Sequence, residues 1–350
     1  INLIGIHWKG PIGVHTHDNL GKAISNNIEA FKSGATWIDS TVTGMGRGAG
    51  NGQTEYFLIE IYKLINKKVN LLPLLNLIKK YFIQLKNKYN WGSNTFYYLA
   101  GIHGIHPTYI QEMISTHFSD AEILAAIDQL KNSEGSKYNV DLVRSEFQKN
   151  IKIKKGNWIP QARIKSKEVL LIASGPSIRE NKRLLENYIV KSKPFVIALN
   201  TDTFINKKFI DVYAACNPLK LIADSDLYKK IKKPIIMPKS LLSAELTKKF
   251  KKLKILDFGV GLKQNTYQFF KTGAIVPRLY NIVYALAIAT SGKANKILLA
   301  GFDGYGTDDV RTKIVNDLIF LYSSSKGSKP LSAMTPTTYS ISSKSIHNLK

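Results

Sequence analysis

The sequence has 350 residues, of which 44% are hydrophobic, so it is long enough to form two domains with separate cores. Its formal net charge of +25 comes mostly from lysines that occur as scattered pairs. We interpret these lysines as solvated surface, with a weak attraction to anionic substrates or membrane surfaces as the alternative. The sequence lacks the arginine clusters and interleaved aromatic residues that are typical of nucleic-acid-binding proteins, so we predict no nucleic-acid partner.

Cysteine usage and hydropathy indicate the compartment. Cys216 is the only cysteine, so no internal disulfide can form, which is typical of a reducing cytoplasm. No segment approaches the ~20 consecutive apolar residues of a membrane-spanning helix. We therefore predict a cytoplasmic protein without a membrane span.

The first informative element is a short apolar strand, predicted at residues 11–14, which leads into two histidines. Side chains on a strand alternate between faces, so His15 and His17 point one way and Thr16 points the other. Two imidazoles on one face of a strand end can share a metal ion. The alternative is that they are ordinary histidines at the end of a strand, because His-x-His is a short pattern.

A helix, a second strand and a glycine-rich loop follow the histidines. The apolar stripe of residues 20–34 predicts an amphipathic helix, and residues 35–42 predict a buried strand. This spacing is typical of a βαβ unit, which brings the glycine loop at residues 43–51 beside the two histidines.

Three motifs of this unit resemble a known family. They are His-Thr-His-Asp-Asn-Leu-Gly at residues 15–21, Asp-Ser-Thr-Val-Thr-Gly-Met-Gly-Arg-Gly-Ala-Gly-Asn at residues 39–51, and Gln-Thr-Glu at residues 53–55. They are similar to the pyruvate-aldolase and hydroxymethylglutaryl-CoA-lyase-like (HMGL-like) metalloenzymes, and most of all to the 4-hydroxy-2-oxovalerate aldolase branch. The resemblance is dense over residues 8–55 and extends to about residue 145.

The resemblance implies a divalent-metal-dependent enzyme with a (β/α)₈ TIM barrel, whose substrates are a 2-oxo acid such as pyruvate and an aldehyde. His15 and His17 would bind the ion (Mn²⁺, Mg²⁺ or similar), and Asn51 would be a further ligand or lie next to one. Asp18 would orient an imidazole, and Gly48 would lie directly behind the ligands. As a Lewis acid, the ion would stabilise the enolate that is left when the bond between C3 and C4 breaks.

Only the last two βα units of such a barrel are present, because in the family His-x-His lies on the seventh strand. Residues 1–8 resemble the tail of the sixth helix, and nothing corresponds to the family's Asp ligand and neighbouring Arg on the first strand. We therefore expect the C-terminal part of a longer protein, with an incomplete metal site and unknown catalytic residues. The helices predicted after residue 54 resemble the family's post-barrel helices, which implies a homodimer.

The predicted organisation has three parts. Residues 1–145 form the partial barrel and its helical extension, residues 146–167 form a linker, and residues 168–350 form a doubly wound Rossmann-like parallel-sheet domain. In the first part, His103 and His106 lie among glycines and a proline, which favours a structural turn over a second metal pair.

Polar residues follow the predicted strands of the last domain, where parallel sheets bind their ligands. The candidate nucleotide-binding residues are Ser174, Gly175, Ser177, Asn200, Asn217 and Tyr305. The Ser-Gly-Pro-Ser turn opens a helix whose N–H groups can hold a phosphate, and a simple tight turn is the alternative. These motifs resemble bacterial glycosyltransferases that use CMP-sialic acid, which implies a cytidine nucleotide sugar as ligand. Those enzymes use a His base after the last strand, and residues 306–346 contain none.

Three hypotheses follow from these patterns. The first is a metal-dependent aldolase or lyase, which we favour because its motif pair is the most specific. The second is a sugar-nucleotide-dependent transferase formed by the C-terminal domain, acting in surface polysaccharide synthesis. The third is a scaffold without turnover.

Overall fold

The structure is a computed structural model that describes residues 1–115, 118, 120–131, 150–201, 204–242, 244–305 and 309–343. The chain divides into two compact units, Ile1–Tyr138 and Asn139–Lys350, each of which is considered by itself. Both contain helices and parallel strands, so the predicted α/β class is confirmed. Among the described residues, every helix is too short or too polar to serve as a membrane span.

The first unit begins with two alternating helix and strand pairs. Its elements are α1 (Asn2–His7), β1 (Gly13–Val14), α2 (Ala23–Lys32) and β2 (Trp37–Ile38). The strands pair in parallel, with Gly13 opposite Trp37 and Val14 opposite Ile38. The second strand is shorter than predicted, because a 3₁₀ turn begins at Val42 and Thr43 adopts a left-handed backbone with φ of 55°.

Helices make up most of the remaining described residues of the first unit. They are α3 (Thr54–Leu64), α4 (Leu72–Leu77), α5 (Ile83–Tyr89), α6 (Thr95–Ile102), α7 (Pro107–Ser115) and α8 (Asp120–Leu130). A π-helical turn, Ile78–Phe82, joins α4 to α5 into one rod. The core of this unit lies among α6, α7 and α8, where Tyr97, Ile110 and Ile123 are buried.

The small sheet of the first unit covers little apolar surface. Leu3 is 78% exposed and Trp37 is 68% exposed. Two strands make too small a platform to bury both of their faces.

The second unit is built on a seven-stranded sheet whose strand pairs are all parallel. The strands are β4 (Glu168–Ile172), β5 (Phe195–Leu199), β6 (Val212–Ala214), β7 (Ile235–Met237), β8 (Ile255–Asp257), β12 (Lys296–Ala300) and β13 (Leu331–Ala333), in the order β13-β12-β4-β5-β6-β7-β8. The strand order reverses between β4 and β12. The Rossmann-like prediction is therefore confirmed, and ligands of such sheets bind at this reversal, beyond the strand ends.

Helices cover this sheet. They are α9 (Gln161–Ile164), α10 (Ser177–Ser192), α11 (Pro218–Ala223), α12 (Ser225–Lys229), α13 (Ala244–Lys249), α14 (Asn281–Ser291) and α15 (Val310–Ser323). Helix α14 is buried along its length, from Ile282 to Ser291, because it packs against both the main sheet and a second sheet. This explains its nearly continuous apolar sequence.

The second sheet is mixed, with the order β10-β11-β9-β3, and it was not predicted. Its strands are β3 (Asn150–Ile151), β9 (Gly259–Lys263), β10 (Gln268–Phe270) and β11 (Gly273–Val276). The described part of the predicted linker, residues 150–167, is bound to this unit. Strand β3 pairs with β9, and the N–H groups of Asn157 and Trp158 donate to the carbonyl of Asp257 at 3.0 and 2.9 Å.

Candidate functional site

The two histidines of the first unit lie side by side. Strand β1 ends at Val14, and the alternation of side chains continues beyond it, so His15 and His17 are both exposed. Their ring centroids are 4.8 Å apart, with an interplanar angle of 85°. Thr16 points to the other side, where its hydroxyl donates to Asn27 Oδ1 at 2.8 Å.

A carboxylate contacts one of these imidazoles. Nδ1 of His15 lies 3.2 Å from Oδ2 of Asp39, the residue that follows β2. Such a contact holds the proton on Nδ1, which leaves the Nε2 lone pair to bind a metal ion. The side chains are 48% and 71% exposed, so the pair itself contributes little to stability. Sequence reasoning missed Asp39, although its position at the end of the neighbouring parallel strand was a usable signal.

The glycine loop returns to the histidine strand through backbone hydrogen bonds. The N–H of Asp18 donates to the carbonyl of Gly50 at 2.9 Å, and His17 forms an isolated antiparallel bridge with Asn51. Gly50 has φ of +77°, and a Cβ there would lie 2.2 Å from the carbonyl oxygen of Gly44. Only glycine satisfies both conditions, so the loop path depends on this residue.

Asn51 carries the clearest sign of a ligand in the first unit. Its Nδ2 donates to the carbonyl of Met45 at 3.2 Å, while its Oδ1 is buried and has no hydrogen-bond partner. A buried acceptor of this kind is costly unless something satisfies it. Amide oxygens and imidazoles are both suitable donors for a divalent transition ion, and the backbone bridge brings Asn51 into the neighbourhood of His17.

In the parts of the chain that the structure describes, no three His, Cys, Asp or Glu side chains converge in a way that could hold a metal ion. The donors available to an ion at this position are the two imidazoles, with the Asn51 amide on the segment bridged to His17.

The structure gives Asp18 and Gly48 roles different from those expected. Oδ1 of Asp18 accepts from the N–H of Ala23 at 3.0 Å, so this carboxylate lies at the start of α2, and Asp39 is the acid that contacts His15. Gly48 has φ of +62° and faces the ring of Tyr97, and its carbonyl accepts from the N–H of Gly92 at 3.0 Å. Gly48 thus fastens the glycine loop to the residues before α6.

His103 and His106 lie in the turn between α6 and α7, as expected for a structural role. His103 is the residue that ends α6, and Nδ1 of His106 accepts from the N–H of Thr108 at 3.3 Å. Partial burial, together with the charge of Arg47, lowers the pKa of His106 below its ordinary value. At neutral pH this imidazole is therefore uncharged.

We expect Asp39→Asn to weaken divalent-metal binding by about 10- to 100-fold, because a neutral amide, which can also donate, replaces the acceptor-only carboxylate that fixes the tautomer of His15. Titration of the metal-free protein with Mn²⁺, followed by calorimetry, measures the change. Asp128→Asn removes an exposed carboxylate on α8 and is the matched control. Unchanged affinity in the Asp39 variant would show that the contact with His15 plays no part in metal binding.

In the second unit, the turn after β4 is already occupied by a carboxylate. Oδ2 of Asp303 accepts from the N–H of Ser177 at 2.7 Å, and Oδ1 accepts from the Ser177 hydroxyl. A Cβ on Gly175 would lie 2.6 Å from the Asp303 carboxyl carbon, so only glycine allows this approach. Ser174, by contrast, is exposed. Asp303 therefore takes the position at the α10 N-terminus that we predicted for a phosphate.

The two candidate asparagines lie at the ends of neighbouring strands. Asn200 follows β5 with φ of +62°, and its Oδ1 accepts from Nδ2 of Asn281. Asn281 Oδ1 in turn accepts from the N–H of Cys216 at 2.9 Å. Asn217 Oδ1 caps α11 by accepting from the N–H of Leu219 at 3.0 Å. Sequence reasoning missed Asn281, because this residue starts a buried helix and is distant in sequence from Asn200 and Cys216, to which it is hydrogen-bonded.

Tyr305 follows β12 and stacks against a guanidinium group. The central carbon of the Arg311 guanidinium lies 4.0 Å from the Tyr305 ring centroid, and Arg311 also pairs with Asp309. The ring is 37% exposed, so one side of it remains open to solvent.

Comparison with known proteins gives a family match within the first unit. Residues 5–79 match the HMGL-like family model. The 4-hydroxy-2-oxovalerate aldolase of Carboxydothermus hydrogenoformans is 50% identical over 54 residues, which cover 15% of this chain and 16% of that protein. The 2-isopropylmalate synthase of Methanocaldococcus jannaschii is 32% identical over 111 residues, which cover 29% of this chain and 21% of that protein. The resemblance of the N-terminal part to HMGL-like enzymes is thus confirmed, although the chain spans only about a fifth of the length of these relatives.

A solved structure that matches a larger share of the chain is the MAf glycosyltransferase of Magnetospirillum magneticum AMB-1. The match covers 64% of this chain and 39% of the glycosyltransferase chain, with a TM-score of 0.39 and 11% sequence identity.

Proposed function

We propose that the first unit carries the metal-binding edge of a divalent-metal-dependent aldolase that joins or separates pyruvate and an aldehyde, in the manner of a 4-hydroxy-2-oxovalerate aldolase. One observation carries the proposal. The imidazoles of His15 and His17 lie side by side, and the backbone of His17 is bridged to Asn51, whose side-chain oxygen is buried without a hydrogen-bond partner. The match of residues 5–79 to the HMGL-like family supports it.

The residues of this chain divide the work of the site. His15 and His17 would hold the ion, and Asp39 would favour the His15 tautomer with the proton on Nδ1, in which Nε2 can bind the ion. Asn51 would supply a neutral oxygen, held in place by its bond to the Met45 carbonyl. When bound, a divalent cation supplies Lewis-acid stabilisation of the negative charge that develops on the 2-oxo oxygen.

The bond changes of the cleavage balance without an oxidant. The 4-hydroxyl loses its proton, C4 becomes the aldehyde carbon, and the electron pair of the C3–C4 bond remains on C3. Protonation at C3 then gives pyruvate. The surrounding residues must accept one proton and return one, which is ordinary acid–base catalysis.

The direct test is pyruvate release from 4-hydroxy-2-oxovalerate by the full chain, measured with lactate dehydrogenase in the presence of Mn²⁺ and again after chelation. We expect release that depends on the added ion. Equal rates with ion and with chelator would overturn the metal-dependent mechanism, and no release under either condition would overturn the aldolase assignment for this chain.

A second candidate function belongs to the second unit, which we propose binds a cytidine nucleotide or its sugar conjugate. The position of Ser174, Asn200, Asn217 and Tyr305 at the same edge of the parallel sheet favours it. The geometry adds one condition, because a phosphate at Ser177 must displace the carboxylate of Asp303.

The need to displace the Asp303 carboxylate predicts a measurable change in nucleotide affinity when that charge is removed. We expect CMP to raise the melting temperature, and Asp303→Asn to bind CMP about tenfold more tightly, because the variant removes a negative charge from the phosphate position. Fluorescence titration measures the affinity, with Asp317→Asn as a control at an exposed carboxylate on α15. Weaker binding by the Asp303 variant would place the nucleotide elsewhere, and no thermal shift would remove the nucleotide proposal.

A further inference from the structure

A cavity of about 370 Å³ lies between the glycine loop and the segment that joins α5 to α6. Its wall is mostly polar and includes Asp18, Asn51, Gln53, Lys86, Trp91 and Asn94. Asp18 is the residue after His17, and Asn51 forms the backbone bridge with His17. The cavity therefore opens directly beside the candidate metal site, within the same unit.

The cavity wall carries two charged side chains, Lys86 and Asp18, which lie in different surroundings. Lys86 is half-buried, and its Nζ lies 3.6 Å from where a Cβ on Gly92 would be, so the side chain folds over the loop at residues 90–94. No carboxylate within the described ranges pairs with this ammonium group. The acid on the wall, Asp18, points its Oδ1 at the start of α2, where the N-terminal N–H groups partly balance its charge.

Neutral hydrogen-bonding groups surround this charge. Within the part of the chain that the structure describes, the side chains of Gln53, Asn90 and Ser93 make no hydrogen bond to protein, although all three line the cavity. Amide and hydroxyl donors next to a lysine are suited to the oxygens of a carboxylate.

The wall is also held in place. Nε1 of Trp91 donates to the carbonyl of Thr43 at 3.1 Å, and the N–H of Gly92 donates to the carbonyl of Gly48 at 3.0 Å. Trp91 is buried. A preformed polar cavity loses little ordering entropy when a small ligand enters it.

We propose that this cavity binds the negatively charged end of the aldehyde substrate, and that Lys86 selects aldehydes carrying a carboxylate over neutral aldehydes of the same length. The inference rests on the proposed aldolase function, because the metal site beside it holds the 2-oxo acid. The aldehyde carbon faces the 2-oxo acid, and its chain extends past Asn51 toward Lys86.

The test compares two four-carbon aldehydes in condensation with pyruvate, namely succinate semialdehyde and butanal. For the full chain we expect Lys86→Met to lower kcat/KM for succinate semialdehyde about tenfold, through KM, because one charge-assisted hydrogen bond is lost. The rate with butanal stays unchanged. Lys88→Met, which removes a lysine stacked on Tyr89 near the same helix end, is the matched control and leaves both rates unchanged.

Three results would overturn the proposal. They are equal rates for wild type and Lys86→Met with succinate semialdehyde, an equal loss with both aldehydes, and a wild-type preference for butanal that Lys86→Met leaves unaltered.

A binding measurement separates this inference from the aldolase proposal. Calorimetric titration with succinate requires no turnover, and we expect wild type to bind it more tightly than Lys86→Met does. If condensation fails with both aldehydes but succinate binding depends on Lys86, the aldolase proposal fails and the anion site stands. If succinate binding does not depend on Lys86, the anion site fails, whatever the enzyme does.

Discussion

We expect replacement of both His15 and His17 with Ala to abolish divalent-metal binding and to lower pyruvate release about 10³-fold. The two imidazoles are the proposed nitrogen ligands, and their ring centroids lie only 4.8 Å apart. Loss of the Lewis acid removes several kcal/mol of transition-state stabilisation, which sets the size of the expected effect. The metal content of the purified protein, measured by mass spectrometry, and the coupled lactate dehydrogenase assay report the two consequences separately.

The control for this variant is His7→Ala, which removes an exposed imidazole at the end of α1. It should change neither metal content nor rate. Since both site histidines are exposed, the double variant should also keep the fold, which circular dichroism can verify. A double variant that retains its metal and its activity would remove His15 and His17 from the mechanism.

The second large effect concerns stability. Gly259→Ala in β9 should destabilise the second unit by about 3 kcal/mol, because the added Cβ would lie 2.0 Å from the carbonyl oxygen of Lys154. A backbone atom cannot move aside as a flexible side chain can. Gly156 is equally confined, with its Cβ position 2.1 Å from the carbonyl of Asp257, so two chain segments cross here in close contact.

Hydrogen exchange, resolved by peptide along residues 255–276, measures this loss in the second unit alone. Gly5→Ala in α1 is the matched control, since nothing lies within 4 Å of its Cβ position. That substitution should stabilise its helix slightly, by about 0.5–1 kcal/mol. If both variants show the same exchange rates as wild type, the crossing of Gly156 and Gly259 does not hold the sheet together.

The parallel sheet of the second unit was predictable from local sequence because its central strands are buried on both faces. The segment at residues 168–172 and the segment at residues 195–199 are continuous apolar runs, and each becomes a strand with those bounds. The mixed sheet was not predictable in the same way. Strands β9 and β11 contain Gly259 and Gly273, and glycine is unfavourable in isolated strands, so their pairing depends on contacts with distant segments.

The candidate metal site was predictable only in part. The alternation of side chains placed His15 and His17 on one face, and the βαβ spacing brought the glycine loop next to them. The role of Asp39 was not readable, because the contact with His15 depends on the register of β1 against β2. The position of Asp18 has a different cause, since Oδ1 of its carboxylate accepts a hydrogen bond from the N–H of Ala23 at the start of α2.

Asp303 illustrates a limit of motif reasoning. The Ser-Gly-Pro-Ser turn does open a helix, as predicted, but a helix N-terminus accepts any anion that geometry allows. The carboxylate of Asp303, which follows β12 on the other side of the strand-order reversal, reaches Ser177. Local sequence could not reveal this, because Ser177 and Asp303 are brought together only by the pairing of β4 with β12.

The pairing of β3 with β9 also bears on how the protein is made. Ile151 is synthesised long before Leu262, its partner in the antiparallel pair. During translation the early segment must stay unpaired until its distant partner leaves the ribosome, and closing so long a loop carries an entropic cost. The pairing of β3 with β9 therefore raises the contact order of the second unit and slows its assembly.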